Sequence, residues 1–312
     1  MANELMYKAH TYDPSKHMIT KEWFVSEKLD GRYFLWDGGI TRGMDVKEVP
    51  WANTQKDRKT IYSTGMWSSR GKVIHIPNTD DLPNYMLDGE LYCGRGKFQD
   101  VISITRRDVP DSRWDDVEFK VFGSPDPDQF MKQRLIEFEK DNFKIITKSI
   151  VAKWAPLFNR IPHKDWDKQY EWLQTNYKVV LNRQLDGDGS IASKIKRITD
   201  GILELGGEGI MLRAPWARWV PGRQHTILKH KPYRDAEAVV TGFTYGEGRL
   251  EGLMGALTLD NGLTLGGGFT DEERILIDGK PMYFNIGETI TFKYREMTDG
   301  GIPKEARYWR KR

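Results

Sequence analysis

Apolar and polar positions along this chain follow two rhythms, and the shift from one mixture to the other marks its organisation. Val117, Phe119 and Val121 alternate with polar neighbours, the signature of a half-buried strand. Residues 129–143, QFMKQRLIEFEKDNF, then carry helical spacing. A clearer helix follows, with Ile191, Ile195, Ile198, Ile202 and Leu205 at three- and four-residue intervals. Gly206-Gly207 supply its stop, and GGEGIML reads as a glycine-broken entry into a strand, where backbone or ligand can approach closely. Beyond Arg234 the helical rhythm is gone. ALTLDNGLTL alternates on both sides of Asn261-Gly262, a strong hairpin signal, and Ile290, Phe292 and Tyr294 alternate in the same way.

These patterns predict an α+β fold in two parts. Residues 1–233 mix strands with helices, and residues 234–312 form a small barrel of short strands, for which an OB-fold is the natural candidate. The boundary lies near HKPYRDAEA, residues 230–238, where nothing is Gly/Ser-rich, so a short hinge is expected rather than a tether. A length of 312 residues accommodates two such domains.

Composition narrows the partners. With a formal net charge of only +3, no bulk positive field announces nucleic acid, although 48 Lys and Arg residues can cluster locally. The 11 Trp exceed what a minimal core needs, and most are expected in packing. A single cysteine, Cys93, excludes an internal disulfide and a multi-thiolate zinc site, which fits a reducing compartment. The opening MANELMYKAHTYDP lacks the apolar stretch of a signal peptide, and no run approaches the roughly 20 apolar residues of a membrane span. The expectation is a soluble, cytoplasmic protein without a membrane partner.

Candidate chemistry begins in SEKLDGRYFLWDGG, residues 26–39, where Lys28 stands between two strand-like stretches. Lysine becomes a nucleophile when desolvation or nearby positive charge favours its neutral amine, but Lys-x-Asp-Gly alone is more often a solvated turn. Glu90, at the end of one expected strand, and Glu208, at the start of another, are carboxylates able to hold a divalent cation against phosphate oxygens. Lys229 and Lys231 in ILKHKPY are two apart, so on a strand they share one face and suit a phosphate clamp. Each of these alone is ordinary surface charge.

Their order changes the estimate. Lys28-Leu29-Asp30-Gly31, Ser69-Arg70-Gly71, Asp88-Gly89-Glu90, Phe119 to Phe122, Glu208-Gly209 and Lys229 to Lys231 resemble, in sequence, motifs I, Ia, III, IIIa, IV and V of the covalent nucleotidyltransferases. That superfamily contains ATP-dependent DNA ligases and messenger-RNA capping enzymes. Downstream, EAVVTGFTYGEGRLEGLMGALTL, GGGFTDEER and IGETITFKYREMTDGGIPKEARYW resemble the OB domain of small bacterial and bacteriophage DNA ligases. The resemblance runs from about residue 20 to nearly the end. It implies an adenylation domain of antiparallel sheets flanked by helices, followed by an OB barrel. It also implies ATP and Mg²⁺ or Mn²⁺ as cofactors, nicked double-stranded DNA as partner, and action as a monomer. By this resemblance Lys28 carries AMP covalently and passes it to a 5′-phosphate, which the 3′-hydroxyl then attacks. Lys229 and Lys231 stabilise phosphoryl charge, Glu90 and Glu208 hold metal or ribose, Arg32 contacts the nucleotide, and Arg70 contacts phosphate, first of the nucleotide and then of the DNA 5′ end. Phe122 stacks on adenine, with a place in the strand's core as the equal alternative.

Three departures qualify the resemblance. The usual motif I arginine position holds Tyr33, and Arg32 comes one residue early; on a strand, neighbours face opposite ways. Gly123 stands where motif IIIa often has aspartate. No Arg-x-Asp-Lys motif VI is present, leaving Arg307 and Arg310 in the basic tail KEARYWRKR as substitutes. That tail, with Tyr308 or Trp309, either tracks a phosphate backbone or is a disordered end. An RNA ligase or capping guanylyltransferase, or a non-catalytic OB-type binder, are the alternative readings.

Overall fold

The computed structural model describes residues 6–53, 60–125, 166–176, 180–298 and 300–312. The chain divides into two compact units, Met1–His230 and Lys231–Arg312. The helical expectation for residues 129–143 lies outside the described residues.

Two sheets make the first unit. One has the order β1 (Tyr7–Thr11), β9 (Gly222–His230), β8 (Ile210–Arg213), β2 (Phe24–Glu27), β7 (Asn182–Gln184), with β1 and β9 parallel and the remaining pairs antiparallel. The other is antiparallel, in the order β4 (Met66–Trp67), β3 (Arg32–Asp37), β5 (Met86–Tyr92), β6 (Glu118–Gly123). Strand β3 is buried on both faces: Tyr33 and Leu35 enter one core cluster with Trp51 and Trp67, while Phe34 and Trp36 enter another with Val101 and Ile104. The latter two come from helix α1 (Phe98–Thr105). Trp36, Trp51 and Trp67 are fully buried, each removing roughly 200 Å² from water, on the order of 5 kcal/mol in transfer terms. Core packing, as expected, takes most of the described tryptophans.

Helix α2 (Trp166–Asn176) and helix α3 (Ile191–Glu204) complete the described part of this unit. Ser190 caps α3 by accepting from the Ser193 N–H. Its end is a Schellman motif: Gly206, at φ +79°, donates to the Leu203 carbonyl, and Gly207 donates to that of Ile202. Ile195 is buried in the core while Ile191, Ile198 and Ile202 pack at its margin; Leu205, expected on the same stripe, is instead an exposed cap residue.

In the second unit a five-stranded sheet runs β12 (Thr264–Leu265), β11 (Met254–Leu259), β10 (Arg234–Tyr245), β15 (Thr289–Tyr294), β18 (Arg307–Lys311). Two short hairpins accompany it, β13 (Leu276–Ile277) with β14 (Lys280–Pro281) and β16 (Glu296–Met297) with β17 (Pro303–Lys304). Strand β10 spends its first half against β15 and its second half against β11, with register shifts after Val240 and Thr244, so one strand coils from one side of the barrel to the other. The Asn261-Gly262 hairpin is present, but its loop has three residues: Leu259 donates to the Leu263 carbonyl, and Gly262 takes φ +80°. Ile290, Phe292 and Tyr294 are all core. The basic tail is strand β18, not a frayed end, and Tyr308 stacks on Phe269 at 4.9 Å inside the core, so only Trp309 of the two aromatics faces solvent.

Candidate active site

Residues from both sheets of the first unit line a cavity of about 390 Å³. Lys28 lies on it, one residue past β2. Its N–H donates to the Gly209 carbonyl at 2.9 Å, extending the β2–β8 ladder and setting Lys28 beside Glu208. Lys28 Nζ pairs with Glu208 Oε2 and also donates to the Leu29 carbonyl at 3.3 Å. Across three strands, Ser26, Met211 and Lys229 are register partners, and all three line the cavity. Arg213 and Ile227 form the next such row. From the facing sheet come Tyr33 and Glu90, themselves partners across β3 and β5, with Asp88 and Phe122.

The glycines of the two motifs are explained by close approach. A Cβ on Gly31 would lie 2.4 Å from the Leu91 carbonyl oxygen and 2.5 Å from Glu90 Cγ. One on Gly89 would lie 2.3 Å from the Lys120 carbonyl oxygen and 2.8 Å from the Phe34 ring. Gly123, where an aspartate was the family expectation, has its side-chain space taken by Gln169 Oε1 at 2.8 Å and Asp88 Oδ1 at 3.4 Å.

Burial dominates the electrostatics. It pushes the Glu90 carboxyl up to about 7; the Lys28 charge opposes this, and Asp30 adds to it. Burial likewise raises Asp88 to about 6 against the pull of Arg213. Asp88 Oδ2 accepts from Trp219 Nε1 at 3.1 Å, while Oδ1 is buried without a hydrogen-bond partner. Arg213 itself is lowered by burial, sits 5.8 Å from the Tyr7 ring centroid, and donates to the Phe122 carbonyl at 3.3 Å. Tyr33 is raised first by burial, then by Asp88 and Glu90.

Most sequence-picked residues therefore converge, and some do not. Lys28, Glu90, Phe122 and Lys229 line the cavity, and Glu208 reaches it through Lys28. Phe119 and Val121 serve the core while Phe122 faces the cavity, which resolves the alternation of β6. Lys231 does not share a strand face with Lys229, because β9 ends at His230; Lys231 opens the second unit, where its carbonyl accepts from Arg295. Arg32, expected at the nucleotide, and Arg70, expected at the phosphate of the nucleotide and then of the DNA 5′ end, line a different cleft. For Arg32 the cause is strand alternation: Tyr33 takes the cavity face, so Arg32 turns to α1 and donates to the carbonyl and hydroxyl of Thr105 at that helix's C-terminus. The direct partner of Lys28 is a carboxylate, and Lys229 lines the same cavity. Sequence reasoning missed Arg213; its place one step beyond GIML, on the cavity row of β8, was the available signal.

Among the described residues no cluster of three or more His, Cys, Asp or Glu side chains could hold a metal ion, and no helix is long and apolar enough to cross a membrane.

Comparison with known proteins supplies the context. Residues 245–312 match the family model described as DNA ligase OB-like domain. A DNA ligase of Haemophilus influenzae is 28% identical over 314 aligned positions, covering 100% of this chain and 93% of that protein. A solved Lig E DNA ligase superposes with a TM-score of 0.67 at 24% identity, covering 98% of both chains. A structure described as Pmar-Lig_Pre superposes at 0.58 and 20% identity, over 99% of this chain and 68% of that one. The chain thus has the fold of these ligase structures, with an OB-like domain at its C-terminal end.

Proposed function

We propose that this chain is an ATP-dependent DNA ligase, sealing nicks in duplex DNA through an adenylate carried on Lys28. One observation carries the reading. Segments around residues 28, 90, 122, 208 and 229 bring an amine, two carboxylates, an aromatic ring and a second cation around one cavity. No requirement of core packing would gather those groups.

In this reading Lys28 Nζ attacks the α-phosphorus of ATP as the neutral amine: an N–P bond forms, the P–O bond to pyrophosphate breaks, one Nζ proton leaves with the pyrophosphate, and the ammonium's extra proton has first to pass to a base. Glu208, hydrogen-bonded to Nζ, is placed to accept that proton. Lys229 lies on the same cavity face and stabilises charge gathering on the phosphoryl oxygens, while Phe122 offers its ring to adenine. AMP then passes to the 5′-phosphate of a nick, and the 3′-hydroxyl displaces it to close the phosphodiester.

The donor set fits Mg²⁺ or Mn²⁺. Asp88 Oδ1 has no hydrogen-bond partner and burial makes Glu90 costly to ionise, so a cation bound beside them would favour the charged form of both. Mg²⁺ needs only one or two protein carboxylates beside substrate phosphates, and Glu90 and Glu208 are the residues that would hold it. When bound, the ion supplies Lewis-acid polarisation of the phosphates.

Residues 1–233 would form the adenylation domain and 234–312 the OB domain, acting as a monomer. Incubation with α-labelled ATP and Mg²⁺ tests the reading: the chain acquires label that survives a denaturing gel and alkali but is released by hot acid, as a phosphoramidate is, and Lys28→Ala acquires none. Comparable label on both proteins contradicts it.

A further inference from the structure

Arg32 and Arg70 stand together in a second cleft of about 550 Å³, with Lys47, Lys72, Arg106 and His75. Its lining holds five Lys or Arg and one acidic residue, Asp108, among the described residues. It shares no lining residue with the Lys28 cavity. Lys47, Arg70, Lys72 and Arg106 are exposed, while Arg32 is half-buried below them.

The cleft is built, not drifting. Its tip is a tight turn in which Ser68 donates to the Lys72 carbonyl at 2.8 Å, Gly71 to the Ser68 carbonyl at 2.9 Å, and Lys72 to Ser68 Oγ at 3.1 Å. Gly71 takes φ +71°, and a Cβ there would lie 2.4 Å from the Trp51 carbonyl oxygen. Asn53 donates to the Gly71 carbonyl at 2.7 Å, fixing the turn to the body of the unit. Burial and the adjacent Arg106 charge press Arg32 down to about 10, so it remains a cation facing another cation. Trp67 is fully buried, so the half-buried His75 is the one ring of the described lining open to a base, and cations dominate the exposed surface.

We propose that this cleft binds successive phosphates of a DNA strand, and that the one-residue shift of the motif I arginine transfers its charge from the nucleotide cavity to this DNA-binding cleft. The identity of the strand rests on the ligase reading; the cleft's preference for a phosphodiester backbone does not. Several cations spread over an open cleft match phosphates repeated along a strand, and contacts confined to backbone make the binding independent of sequence.

The test is anisotropy of a labelled nicked duplex with the full chain and its Lys72→Gln/Arg106→Gln variant, over a salt series. Melting temperatures serve as a control for folding. The variant should bind about tenfold more weakly at 50 mM salt, and its slope of log affinity against log salt should be shallower by about 2, roughly 0.9 per lost phosphate contact. Unchanged affinity and slope overturn the proposal. So does a raised KM for ATP in self-adenylylation with nick affinity intact, since the cleft would then serve the triphosphate. Should the variant melt early, Lys47→Gln/Lys72→Gln, at two exposed positions, replaces it with the same expectations. If wild type gains no adenylyl group while the loss of affinity and slope persists, the cleft stands and the ligase reading falls.

Discussion

The Lys28 cavity and the Arg70 cleft flank one strand, β3, yet they handle charge in different ways. The described lining of the cavity sets three acids beside five Lys or Arg, and two of these cations have a direct acid neighbour: Lys28 pairs with Glu208, and Arg213 feels Asp88. Among the described residues of the cleft, Lys and Arg outnumber acids five to one. A site that moves a proton and holds a singly charged adenylate works with partly compensated charge, whereas a surface that grips a polyanion works with excess. Adjacent residues decide the division, because Arg32 and Tyr33 occupy opposite faces of β3. The same arginine one position later would enter the cavity beside Asp88 and Glu90.

The contrast can be broken at several depths. Lys229→Ala should slow self-adenylylation by about 10² to 10³, as loss of one preorganised charge donor does, while nick affinity changes less than twofold. An effect on nick affinity alone would merge the two sites. Next comes Asp37, farther along β3 and in neither site: it accepts from Thr41 and from Trp67 Nε1 at 2.9 Å, and burial raises it to about 6. With the folded value above the unfolded one, its neutral form favours folding below about pH 4. That contribution, about 3 kcal/mol, is lost as pH rises through 6. Asp37→Asn should therefore flatten the dependence of stability between pH 4 and 6, as denaturant titrations would show; an unaltered profile would remove the assignment. Gly31→Ala should cost about 2 kcal/mol, read as a lower melting temperature, because its new methyl meets the Leu91 carbonyl and the Glu90 stem. A variant as stable as wild type would mean that β3 and β5 can separate locally. The smallest effect is expected of Lys47→Gln: a two- to fivefold loss in nick affinity and a salt slope shallower by about 0.9, with ATP labelling untouched.

Sequence patterning disclosed the fold where periodicity was strong. Helix α3, strands β6, β8 and β15, and the hairpin at Asn261-Gly262 follow from spacing and glycine placement. The site was legible through the order of short motifs rather than any single one. What escaped depended on register. Lys229 and Lys231 were assigned to one strand face because the sequence does not mark that β9 stops at His230. Arg70 went to the nucleotide because its cleft is assembled from a turn, a strand end and the end of α1, which come together only in space. Arg213 was overlooked since a lone arginine after an apolar strand looks like a surface residue, yet β8 is central in its sheet and leaves Arg213 half-buried on the cavity. The Tyr308 side chain shows the reverse error: a basic tail hides one core residue, so cutting the chain before Arg307 would remove an edge strand rather than probe a tail.

Peptide mapping by mass spectrometry after incubation with saturating ATP and Mg²⁺ tests the central claim most directly. The account predicts a single adenylyl group on the peptide containing Lys28, released when nicked duplex is added. An adduct on Lys229 or any other side chain, or none at all, would contradict it.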